Sequence, residues 1–148
     1  MADPTPQTPD AQTSEAQTSD VQPDADVIEL AAKLFEAART GDAALLAAYL
    51  DAGAPANLSN DRGDTLVMLA AYHGHADAVR ALAERGADPD RANDRGQTPL
   101  AGAVFKGEGE VIAALLAAGA DPLAGTPSAV DTARMFGKED LVARFEGR

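Results

Sequence analysis

Two histidines one residue apart, His73 and His75, with Asp77 close behind, are the first place to look for chemistry, because imidazole and carboxylate are zinc ligands. They flank Gly74 at the end of a helical stretch, and the pattern reads as a turn rather than a metal site. The stretch DPDRANDRGQTP, from Asp88, opens like a calcium loop, but Ala92 stands at a ligand position and Pro99 where the closing glutamate belongs. Gly107 and Gly109 in KGEGE lack the lysine and hydroxyl that a phosphate loop carries after its second glycine. Ser128 and Thr132 have no histidine near them in sequence to act as a base. With no cysteine, thiolate ligands, thiolate nucleophiles and a disulfide framework are all excluded. We therefore expect no catalytic residue, no metal and no cofactor. A small hydrolase with a site built from loop acids is the runner-up of the enzyme class.

The elements behind these residues are helical. The 148 residues are 45% hydrophobic but only 4% aromatic, an alanine- and leucine-rich composition that suits close-packed helices better than a β-sandwich. The formal net charge is −12, and residues 1–26 contribute six acids and no base. The other 18 acids outnumber 12 bases, a balance that opposes a polyphosphate partner. No run of 18 apolar residues and no signal peptide is readable, so the expectation is a cytoplasmic protein with neither a nucleic-acid nor a membrane partner. Residues 1–25 form an acidic tail rich in proline, threonine and glutamine, with too little apolar surface to offset chain ordering at roughly 1–2 kcal/mol per residue; it is expected to be disordered, either a solubilising leader or a docking peptide for a basic partner.

From residue 26 the character changes. Val27, Ile28, Leu30, Ala31, Leu34, Phe35 and Ala38 fall at helical spacing, with Asp24 or Asp26 as the candidate cap. Glycines then recur at 41, 74 and 107, and at 53, 86 and 119, always 33 residues apart. Segments 60–92 and 93–125 are identical at 13 positions when aligned without a gap, and both begin NDRG. A fixed period of this length signals a stacked array in which each unit buries its apolar face against its neighbours. Within a unit, Thr98 caps a short helix with Pro99 at its first position. After the turn at Gly107, Val111, Ile112, Leu115 and Leu116 form the stripe of a second helix, which Gly119 ends.

These residues resemble the ankyrin repeat. Gly96, Thr98, Pro99, Leu100, Ala103, Gly107, Gly119, Ala120 and Asp121 match its pattern in one unit, and Gly63, Thr65, Ala70, Gly74, His75, Gly86, Ala87 and Asp88 in another. The resemblance implies an all-α solenoid of about four helix-turn-helix units joined by β-turn fingers: a capping unit 26–59, repeats 60–92 and 93–125, and a shortened cap 126–148, whose Gly137 comes 30 residues after Gly107. Departures are Met68 and Ala101 where the pattern has histidine, Leu66 where it has proline, and Gly102, which should weaken its helix by up to about 1 kcal/mol.

The resemblance also implies a non-catalytic protein-binding module, and carries positions with it. The fingertips supply Asp61, Arg62, Asp64, Asp94, Arg95 and Gln97; the positions before each turn glycine supply Arg39 with Thr40, Tyr72 with His73, Phe105 with Lys106, and Met135 with Phe136. Tyr72 and Phe105 occupy equivalent places and either build an apolar stripe for a partner or cover the seam between helices. The expected protein is a monomeric cytosolic adaptor or inhibitor of one folded protein, with a bacterial flavour to its composition. Assembly by end-to-end stacking is disfavoured by the charges at Glu139, Asp140, Arg144, Glu146 and Arg148.

Overall fold

The computed structural model describes residues 25–147; the expected tail disorder and the Asp24 cap lie outside them. Eight helices follow one another in pairs: α1 (Ala25–Thr40) and α2 (Ala43–Asp51), α3 (Leu66–Tyr72) and α4 (Ala76–Glu84), α5 (Pro99–Lys106) and α6 (Gly109–Ala117), α7 (Ala129–Met135) and α8 (Glu139–Phe145). No strand occurs among the described residues, only two isolated antiparallel bridges, Ser59 with Thr65 and Gly125 with Ser128. The first helix already includes Asp26 in its opening turn, so Asp26 is not its cap. The chain divides after Lys33 into two compact units, and the packing that follows belongs to the second, from Leu34 onward.

Its core is built from rows of equivalent residues. Leu34, Val67, Leu100 and Val130 form one buried row; Ala37, Ala70, Ala103 and Ala133 a second; Leu46, Val79, Ile112 and Val142 a third. The steps along each row are 33, 33 and 30 residues, so the shortened last unit keeps the register. Burying one Leu or Val contributes roughly 1.5–3 kcal/mol, and the rows make that burial depend on the neighbouring unit. Alanine in the second row presents only a methyl group to the neighbouring helix, so it demands little room between the two. In the middle of the array α3 packs on α5 and α5 on α7, while α2 packs on α4 and α4 on α6.

Ends of helices inside such a stack need their own partners. Thr65, Thr98 and Ser128, all nearly fully buried, cap α3, α5 and α7 by accepting from the backbone N–H of Met68, Ala101 and Asp131 at 3.1, 3.2 and 3.1 Å. Asp42 does the same for α2 through Leu45. The glycine series takes the left-handed conformation its spacing implied: Gly41 has φ +85° after α1 and Gly86 φ +93° after α4. Units are also stitched through loops, because Asn57 Oδ1 accepts from Asp88 N at 2.7 Å and its equivalent Asp90 accepts from Asp121 N at 2.8 Å.

Two departures from the repeat pattern explain each other. Gly102 is buried, and a Cβ there would stand 3.0 Å from Cε of Met68. The larger side chain at the histidine position of one unit is thus accommodated by the missing one in the next.

Candidate functional site

The NDRG motifs form the finger tips. In the first, Asn60 Oδ1 accepts from Arg62 N and Asp64 N at 2.9 and 3.0 Å; in the second, Asn93 Oδ1 accepts from Arg95 N and Gln97 N at 3.0 and 3.1 Å. A side-chain oxygen bonding its own backbone two and four residues on fixes each loop as a tight turn, and so holds Asp61, Arg62, Asp94 and Arg95 out in solvent. The fingers are joined to each other by Asp94 N to Arg62 O at 3.0 Å and by Asn93 Nδ2 to Asp64 Oδ1 at 2.8 Å. Asp64 is therefore partly buried and engaged.

The ends of α1, α3, α5 and α7 supply the neighbouring wall. Tyr72 is half-buried, with the Lys106 ammonium 4.8 Å from its ring centroid and the His73 ring edge-on at 5.7 Å. Phe105 (53% exposed), Met135 (67%) and Phe136 (49%) stay open to solvent, the two phenylalanine rings meeting edge-on at 5.7 Å. Tyr72, Arg95, Gln97, Phe105 and Met135 together line a groove of about 410 Å³. It shares Tyr72, Arg95 and Gln97 with a second hollow of about 240 Å³ reached by Arg39, Arg62, Asp64 and His73. Asp61 and Asp94 line a smaller hollow between the fingers, about 160 Å³. The side chain of Thr40 donates instead to Glu36 O of its own helix.

Residues that position alone did not single out also line the walls, among them Met68, Ala101 and Thr132. Met68 and Ala101 lie four residues before Tyr72 and Phe105, one helical turn along the same face, so helical spacing was the signal that would have found them.

The candidates for chemistry have structural duties. His75 Nε2 donates to the carbonyl of Arg39 at 2.7 Å, satisfying a C-terminal acceptor of α1. Ser128 caps α7 and Thr132 Oγ1 donates to Ser128 O at 2.8 Å. Among the described residues no three histidines or carboxylates gather where a metal ion would sit, and no helix is long and apolar enough to cross a membrane.

Comparison with known proteins agrees with this architecture. A family model for ankyrin repeats (3 copies) matches residues 34–125. A curated ankyrin repeat protein of Pseudomonas aeruginosa is 46% identical over 52 residues, 35% of this chain and 30% of the relative's own length. Paired helices in a 33-residue register, buried Thr and Ser caps, finger turns and the sequence match coincide, and the chain belongs to the ankyrin repeat family, whose repeats are generally protein–protein interaction modules.

Proposed function

We propose that this protein is a monomeric cytoplasmic adaptor or inhibitor, without catalytic activity, that binds one folded protein through its fingers and the exposed face of α3, α5 and α7. The observation that carries the reading is the cluster Phe105, Met135 and Phe136, each about half or more exposed, in a chain with only six aromatic residues. Large apolar side chains left in water at the mouth of a groove are where interface energy concentrates when a partner covers them. Charged finger residues around them form the wet rim that sets association rate and register.

The test is capture of the partner from the source cells by the full chain and by a Tyr72→Ser/Phe105→Ser variant. Truncating central aromatics commonly costs 2 kcal/mol or more, about a thirtyfold loss of affinity, so the variant should lose the partner while keeping its helical circular dichroism. Normal capture by a folded variant places the interface elsewhere. Loss of helical signal means the rings serve the seam between helices.

A further inference from the structure

With neither cysteine nor tryptophan in the chain, its thioethers are the side chains most open to mild oxidation. There are three methionines, and Met1 lies outside the described residues. The other two are placed in opposite ways. Met68, 3% exposed, is packed near the start of α3, and its Cε lies 3.0 Å from where a Cβ on Gly102 would stand. Met135, the last residue of α7, is 67% exposed and lines the 410 Å³ groove with Tyr72, Phe105 and Pro127. The steps from Tyr72 to Phe105 and on to Met135 are 33 and 30 residues, so a thioether stands where the two preceding units carry a ring. Next to it in the chain, Phe136 meets the ring of Phe105 edge-on.

We propose that Met135 is a reversible oxidation site that switches this face off for its partner; the inference rests on the reading of this face as the interface. As a thioether the side chain is apolar and unbranched, with a polarisable sulfur that packs readily against aromatic rings. A hydroperoxide, in the simplest case hydrogen peroxide, converts it. The sulfur lone pair attacks one peroxide oxygen, and an S–O bond forms as the O–O bond breaks. The departing hydroxyl takes the proton of the transferred one and leaves as water, so the thioether gives up two electrons and the peroxide accepts them. The product carries a polar S=O on the groove wall. An apolar side chain of the partner laid over it removes water from that oxygen without replacing its hydrogen bonds. Methionine sulfoxide reductases reverse the change: a dithiol gives two electrons, the oxygen leaves as water, and the reductant becomes a disulfide. The fold tolerates oxidation because Met135 ends its helix with its side chain mostly in solvent. Met68 reacts only when its unit opens, since the packing that covers it also keeps peroxide out. Burial alone thus supplies the selectivity, without a catalytic group.

The experiment treats the full chain with hydrogen peroxide and follows it by mass spectrometry after trypsin digestion, which releases Met135 in residues 135–138 and Met68 in residues 63–80. Met135 should gain one oxygen at least about ten times faster than Met68, with the helical circular dichroism unchanged. In urea, where burial is lost, the two should react alike. The oxidised chain should bind the protein captured by the untreated chain about tenfold more weakly, the loss expected when one apolar contact of an interface is made polar. Treatment with sulfoxide reductases and a dithiol should restore the affinity. In Met135→Leu, peroxide should leave the affinity where it stood before treatment. The inference is overturned if Met68 in the folded chain reacts as fast as Met135, or if the oxidised chain binds as tightly as the untreated one. It is overturned equally if peroxide weakens Met135→Leu as much as the parent. Normal binding by the Tyr72→Ser/Phe105→Ser variant removes the interface reading itself, and the switch with it. Loss of binding in that variant, with full binding by the oxidised parent, sinks the switch alone and leaves the interface reading standing.

Discussion

Replacing Gly41 by alanine should destabilise the array by about 2–3 kcal/mol, more than the same change at Gly86. The difference should depend on one side chain, His75. Both glycines hold positive φ, +85° and +93°, and an L-residue forced into the left-handed region costs about 1–2 kcal/mol. At Gly86 nothing lies within 4 Å of the new Cβ, so that backbone cost is the whole effect. At Gly41 the Cβ would stand 2.6 Å from His75 Nδ1 and 2.7 Å from its Cγ. The ring cannot retreat freely, because its Nε2 donates to Arg39 O at 2.7 Å from across the turn. Displacing it forfeits that bond, worth about 0.5–1.5 kcal/mol net. The assay is urea unfolding followed by circular dichroism for Gly41→Ala, His75→Ala and the double variant. With His75 already gone only the backbone cost remains, so the double variant should cost about 1 kcal/mol less than the sum of the singles. Additivity within about 0.5 kcal/mol, or equal costs at Gly41 and Gly86, would refute the view that units are locked through this ring.

Thr98→Ala removes a buried cap oxygen and should lower stability by about 1 kcal/mol, read as a thermal midpoint about 3–6 °C lower. Ala103→Leu places a larger side chain where exposure is 0% and should cost about 1–3 kcal/mol through overpacking. Ala117→Leu, on an exposed position of α6, should stay within about 0.5 kcal/mol of the parent by the same denaturation.

What could be read from the sequence was whatever repeats with a fixed identity. The glycines, the Thr98 cap and the helix pairs all follow from a constant 33-residue period, the length of one stacked helical unit. What escaped was every contact in which different residue types fill one position. Asn57 and Asp90 hold adjacent units by the same backbone bond, yet one is an amide and the other a carboxylate. His75 and Glu108 both reach back over the preceding turn glycine, Gly41 and Gly74, though one is a ring and the other a flexible acid. The partnership of Met68 with Gly102 spans two units, so each looked like an isolated lapse from the pattern. At the candidate site the positions of Tyr72 and Phe105 were legible from the period. That one is half-buried beneath Lys106 while the other remains open depends on neighbours from adjacent helices, which spacing along one helix does not encode.

Amide hydrogen exchange of the full chain, free and saturated with its captured protein partner, tests the central claim most directly. Binding on the proposed face slows exchange in the fingers, residues 59–65 and 92–98, and at the C-terminal turns of α3, α5 and α7, while α2, α4 and α6 exchange as in the free protein. Slowed exchange confined to α2, α4 and α6, with the fingers and Phe105 turn unchanged, contradicts it.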